Sequence, residues 1–525
     1  MRDFQSPGRS PVLAANGLCA TSHPLAAKVA VDILQTGGNA VDAAIAGAVL
    51  LGICEPQMTS IGGDCFALIS SAGEDRVIAL NGSGRAPAAA EAEALRSGGA
   101  STIPTDSAHS VTLPGAIDGF CRLSADWGRL GLADSLAPAI RYAEEGVPVA
   151  PRVALDWDAS AHIPQGAARR HYLQDGRAPR TGELFRAPGQ AEVLRRIARD
   201  GRDAFYTGEV AEDMVAALRQ AGGVHAMEDF AATDSEYGDP VSGSYKGHEL
   251  MEHPPNGQGA TAILILNILA QFDLTAMDPW GAERAHLEAE AAKLAYDARD
   301  RFLADADHVT RLEHMLSLDT ARALAALIRP DRAMAAPAEL SESVHKDTVY
   351  ITVVDRDRMA VSLIYSCFHA FGSGIASDRF GVLLHNRGAG FNLIPGHANE
   401  YGPGKRPMHT IIPAMLRREG RVVMPFGVMG GQYQPAGHAR VLTNMLDFGM
   451  DPQAALDGPR SFVENGRMVL ETGYSAAAAE ALAARGHDVT RADSPLGGAQ
   501  AIRIHESGVL EGASDPRKDG CAIGY

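Results

Sequence analysis

The chain has 525 residues and a formal net charge of −17, an acidic balance that argues against nucleic acid and anionic membrane surfaces as partners. No run approaches the about 20 apolar residues of a membrane-spanning helix, and the opening Met-Arg-Asp-Phe-Gln-Ser-Pro has no apolar core of the signal-peptide kind. Six scattered cysteines without a Cys-x-x-Cys pair suit a reduced, cytoplasmic protein rather than a disulfide framework.

In chain order, Pro24 to Gln35 has helical periodicity and stops at Gly37-Gly38; Asn39 then caps a second helix through Ile53. Phe66 to Ile69 and Val77 to Leu80 read as a hairpin. Ser135 to Glu145 reads as a helix, Ala159 to Arg186 as loops with short helical pieces, and Gln190 to Arg199 and Glu209 to Gln220 as amphipathic helices. Pro254-Pro-Asn-Gly-Gln-Gly259 is a turn ahead of helices at Ala260 to Phe272 and Ala282 to Phe302. Val349 to Val354 and Met359 to Tyr365 form a strand–turn–strand unit around Asp355 to Arg358. Beyond it, Phe380 to His385, Val422 to Met429, Met468 to Glu471 and Ala499 to Ile504 read as strands, and His438 to Phe448 and Ala476 to Arg485 as helices. The result is a mixed, layered α+β fold.

Thr348 stands at the mouth of the central strand, directly after the polar segment 335–346. Most strand threonines are structural. A threonine hydroxyl becomes a useful nucleophile when a base sits beside it, and its own free α-amine is one solution. Such an amine has a pKa of about 7.7–8, so it is partly unprotonated at neutral pH. Cutting the chain between Asp347 and Thr348 would create that amine.

Several spaced strings bear on this: Gly37-Gly-Asn-Ala-Val-Asp-Ala-Ala44, Ile61-Gly-Gly-Asp64, Leu113-Pro-Gly115, Trp127-Gly-Arg-Leu130, Phe205-Tyr-Thr-Gly208, Pro254 to Gly259, Gly404-Lys-Arg-Pro407, Gly430-Gly431 and Asp515-Pro-Arg517. In this order, with Asp347-Thr348 among them, the chain resembles the γ-glutamyltransferase (glutathione hydrolase) family of N-terminal nucleophile hydrolases along nearly its whole length. The resemblance implies one domain over 1–525, a four-layer αββα sandwich, and a zymogen that cuts itself autocatalytically. The products would be a large piece, 1–347, and a small piece, 348–525, that stay together. It implies no cofactor and no metal; the sequence has no His-Glu-x-x-His, Walker loop or dinucleotide fingerprint. The implied partners are a small-molecule amide and the two fragments themselves, with a homodimer left open.

By the same resemblance Thr348 is the nucleophile, Gly430 and Gly431 form the oxyanion hole, Ser366 assists the threonine hydroxyl, and Asn386 lies near the pocket. The recognition shell departs from the family pattern. Ser83 stands where the family has the arginine for the donor's α-carboxylate, with Arg85 two residues on. His409-Thr410 replaces a Ser-Ser pair, Arg387 a glutamine, Gly390 the aspartate that holds the donor's ammonium, and Phe368 an asparagine. Three functions follow as alternatives: hydrolysis or transfer of γ-glutamyl amides such as glutathione, the same engine on another acyl group such as glutaryl with Arg387 or Arg85 pairing its carboxylate, or an uncut relative that only binds.

Overall fold

Two seven-stranded, wholly antiparallel sheets carry the fold. The computed structural model describes residues 8–71, 73–74, 76–335 and 346–525. The first sheet runs Cys521–Gly524, Leu18–Thr21, Lys346–Val354, Ala360–His369, Asp64–Ser70, Val77–Gly82, Glu236–Gly238. The second runs Val12–Ala14, Leu510–Ser514, Gly498–Ile504, Arg421–Met429, Ala414–Arg418, His248–Glu252, Val241–Tyr245. Residues on either side of Thr348 contribute strands to both sheets.

The two sheets pack face to face, with Lys346–Val354 against Arg421–Met429 and Gly498–Ile504. Strand side chains alternate between faces. Tyr350 and Ile364 therefore join Phe66, Ile411 and Met429 between the sheets, while Val349, Ile351, Leu363 and Tyr365 point into the helical layer. With both faces covered, the central strands read as unbroken apolar runs.

The helices Pro24–Gln35 and Ala40–Cys54 cover the first sheet. All residues of Ala40–Cys54 are buried, and its N-terminus is closed by a reciprocal Asn39–Asp42 capping box. Gly259–Leu269 and Gln434–Leu446 cover the second sheet, giving the layer order αββα. A three-stranded sheet, Ser461–Glu464, Arg467–Leu470 and Asp488–Arg491, flanks this sandwich.

Two sequence expectations change. The central strand starts at Lys346, not Val349, so Thr348 sits inside a strand rather than at its mouth; residues 336–345 of the polar segment before it lie outside the described residues. Phe380 to His385 is not a strand. Gly381 has φ +66°, and the segment makes only the single bridges Ala376↔Leu383 and Gly62↔Leu384. Its apolar character reflects burial of Val382, Leu383 and Leu384 in the main hydrophobic core, not a ladder.

Candidate active site

The pairing of the two central strands breaks at Thr348. Asp347 pairs with Phe368 and Val349 with Tyr365, so one residue, Thr348, faces two, Ser366 and Cys367. A bulge of this kind re-aims side chains next to it. Thr348 is 2% exposed, and its Oγ1 lies 3.4 Å from Ser366 Oγ. Ser366 Oγ also accepts the Phe368 N–H at 2.8 Å, which fixes the hydroxyl beside the threonine. Phe368 takes φ +76°, a costly conformation for a bulky residue. Its ring stacks on the His369 imidazole at 4.1 Å and carries the Arg387 guanidinium over it at 4.3 Å.

The strand Arg421–Met429 ends in Gly430 and Gly431, and the turn that follows packs against the Thr348 strand. Gly430 has φ +120°, and a Cβ there would stand 2.9 Å from Gly497 Cα. Only glycine fits this backbone. Gln258 Nε2 donates to the carbonyls of Thr410 and Gly431 at 2.6 and 3.1 Å, and Arg299 donates to Gln258 Oε1 at 2.9 Å. The loop Pro254 to Gly259 thus holds the glycine turn and the His409-Thr410 segment in one register.

One strand further from Thr348, Asp64 lies directly opposite Ser366. Opposed residues share a face, and two strand spacings put Asp64 about 10 Å from Thr348. Asp64 is fully buried. Arg387 donates to it from Nε at 3.0 Å and from its terminal nitrogen at 3.3 Å, and His409 Nε2–H donates at 2.6 Å. Arg387 further donates to Thr410 Oγ1 at 3.0 Å. Burial alone would raise the Asp64 carboxyl; the Arg387 guanidinium and the His409 hydrogen bond outweigh it and hold the group well below the usual carboxylate range.

The histidines here are neutral. Burial first, and then Arg387, push His409 down to about 3. Its Nδ1 accepts the Ile411 N–H at 3.2 Å, so the tautomer is set and a second proton has no place. Burial likewise lowers His385; its Nε2–H donates to the Thr112 carbonyl at 2.9 Å, and its Nδ1 stands 3.5 Å from Asp64.

The structure thus brings Thr348, Ser366, Arg387, His409 and Thr410 onto one continuous patch. By sequence, Arg387 is a candidate partner for a substrate carboxylate. Instead its paired edge is engaged by Asp64, and it is fully buried. Arg85 is set apart: it pairs with Glu236 at 2.9 Å and Asp305 at 3.3 Å and donates to the Gly404 carbonyl. Asn386 is structural in its bonding. Its Oδ1 accepts the His369 N–H at 3.1 Å and its Nδ2 donates to the Thr105 carbonyl at 3.0 Å. At Gly390 a Cβ would meet the Met408 carbonyl oxygen at 2.7 Å, so the backbone leaves no room for an acidic side chain.

Sequence reasoning missed Asp64 and His385. Asp64 carried a signal: a carboxylate opening a buried apolar strand must have a charged or hydrogen-bonding partner. Among the described residues no helix is long and apolar enough to cross a membrane.

Comparison with known proteins agrees with this architecture. The family model described as gamma-glutamyltranspeptidase matches residues 26–525. The chain is 36% identical to the glutathione hydrolase-like YwrD proenzyme of Bacillus subtilis, over 98% of this chain and 99% of that one. It is 34% identical to the oxamate amidohydrolase proenzyme of Klebsiella pneumoniae, with the same coverage of both chains. The crystal structure of cephalosporin acylase from Bacillus halodurans superposes with a TM-score of 0.93 at 38% identity, covering 100% of this chain and 99% of that one. On the matched residues and the shared fold, the chain belongs to the gamma-glutamyltranspeptidase family of hydrolases.

Proposed function

We propose that the chain cuts itself between Asp347 and Thr348 and then hydrolyses an amide whose acyl group is not γ-glutamyl. The observation that carries the reaction is the pair of hydroxyls, Thr348 and Ser366, held 3.4 Å apart at a strand bulge next to a two-glycine turn. In processing, the Thr348 hydroxyl attacks the Asp347 carbonyl carbon, the C–N bond to Thr348 breaks, and water hydrolyses the resulting ester. The nitrogen released is the α-amine of Thr348. In turnover that amine takes the hydroxyl proton as Oγ1 attacks the donor carbonyl. The N–H groups at Gly430 and Gly431 receive the oxyanion, a contribution of roughly 3–4 kcal/mol per donor. The amine product leaves with the proton, and water resolves the acyl ester.

The donor follows from the patch beside the hydroxyls. A γ-glutamyl group brings an α-ammonium and an α-carboxylate. Asp64 is already neutralised by Arg387 and saturated further by His409, and Gly390 supplies no acid. A buried ammonium without a counter-charge is costly. The site suits an acyl group that lacks the ammonium. In glutaryl, or the short oxamate type named for the Klebsiella relative, the one remaining charge is a carboxylate. For it, the Arg387 nitrogen that donates to Thr410 Oγ1 is the cationic atom left outside the Asp64 pair. Hydrolysis of γ-glutamyl amides, including glutathione, is the second reading and is favoured by the family as a whole. Six free cysteines favour a reducing compartment, the cytoplasm.

The test is a panel of p-nitroanilides carrying γ-glutamyl, glutaryl and oxalyl groups, assayed on processed protein. Faster turnover of the glutaryl or oxalyl amide supports the proposal. Efficient γ-glutamyl turnover with negligible turnover of the others rejects it, and an uncut chain inert toward all three would make the protein a binding relative.

A further inference from the structure

One side-chain cluster takes no part in the chemistry at Thr348 and shares no residue with that site. His286 and Glu290 stand one turn apart on the helix Ala282–Phe302, and His487 meets them from just ahead of the strand Asp488–Arg491. All three are buried, and one ligand atom from each lies within 4.8 Å of the others. Residues four apart share a helix face, so the helix presents two of the three donors together.

The bracing around these donors is specific. His286 Nε2–H donates to the Arg329 carbonyl at 2.7 Å. That bond fixes the tautomer and leaves Nδ1 as a lone pair, aimed at His487 Nε2 at 2.8 Å. A carbonyl behind the distal N–H is how proteins orient an imidazole toward a metal. Glu290 Oε1 accepts from Lys293 at 2.7 Å and Oε2 from the Met334 N–H at 2.8 Å. Each carboxylate oxygen has two lone pairs, so each keeps one.

We propose that His286, Glu290 and His487 form a binding site for a divalent transition-metal ion of the zinc class. Two imidazole nitrogens and one carboxylate suit Zn²⁺, with water as the fourth ligand. Bonds of about 2.0–2.2 Å put tetrahedral donors roughly 3.4 Å apart. The two imidazoles therefore part slightly on binding, and His487 carries its proton on Nδ1 in place of Nε2. The Lys293 ammonium opposes the ion. It stays on Oε1 and on the Met334 carbonyl, 3.1 Å away, and leaves Oε2 to the metal.

The position suggests the role. After a cut at Asp347–Thr348, His286 and Glu290 belong to the large piece and His487 to the small one, so the ion clamps the two pieces together. This role rests on the proposed processing; the metal binding does not.

The test titrates chelator-treated, purified protein with Zn²⁺ alone by calorimetry, and with Co²⁺ as a spectroscopic probe. The expected result is one ion per chain, tetrahedral Co²⁺ bands in the visible, and at least about tenfold weaker binding in both His487→Gln and Glu290→Gln, with amide turnover unchanged. Absence of saturable binding overturns the proposal, as does binding that both substitutions leave intact. Should the substituted chains fail to fold, the wild-type Co²⁺ spectrum decides: without tetrahedral bands the site is refuted.

Discussion

The Asp64–Arg387 pair offers a quantitative test of the site's electrostatics. Both side chains are fully buried, and the guanidinium donates twice to the carboxylate. Asp64→Asn keeps the shape but leaves a buried guanidinium without its counter-charge; Arg387→Gln leaves the carboxylate with neutral imidazoles only. Breaking a buried pair from one side typically costs about 3–5 kcal/mol. Unfolding entropy of about 2.1 cal/mol/K per residue gives roughly 1.1 kcal/mol/K for 525 residues. Each single substitution should then lower the melting temperature by about 3–5 °C. The double variant removes both charges, so its drop should be well short of the sum, a coupling of at least about 1–2 kcal/mol. Differential scanning calorimetry on uncut Thr348→Ala chains measures all four members of the cycle without a change in chain number. Additive drops would show that the two groups do not hold one another and would remove the argument that Arg387 is engaged.

Three further outcomes follow. Ser366→Ala removes the hydroxyl beside Thr348 and should slow the appearance of two fragments on a denaturing gel; processing at the wild-type rate would leave Ser366 with no part in it. Gly430→Ala places a Cβ 2.9 Å from Gly497 Cα at φ +120°, which displaces the proposed oxyanion donors and should cut kcat by about 10²–10³-fold; an unchanged kcat would place the oxyanion hole elsewhere. Glu55 is fully buried, with Ser22 Oγ donating to it at 3.1 Å, and burial pushes its carboxyl up to about 7. The folded state therefore holds the extra proton between about pH 4.5 and 7, and the stability this gives is lost as pH rises through that window, by about 3 kcal/mol in all. Glu55→Gln should gain in melting temperature relative to wild type between pH 5 and pH 8, and parallel curves would contradict the assignment.

The strand–turn–strand unit around Asp355 was legible because β-branched runs and a charged turn are local signals. The glycine turn at Gly430 was legible because a positive φ demands a residue type. Pairing partners were not. That Arg387 lies against Asp64 depends on residues 323 positions apart meeting where a short 3-10 turn packs on the first residue of an interior strand, and no local pattern encodes that. The same long-range meeting turned Arg85 toward Glu236 and Asp305. Phe380 to His385 misled because apolar content records burial, and buried loops share it with strands.

Amino-terminal sequencing of the purified, active protein tests the central claim most directly. The account predicts two termini in equal amounts, the native one and a second reading Thr-Val-Tyr-Ile. Full amide turnover from a preparation that yields the native terminus alone would contradict it.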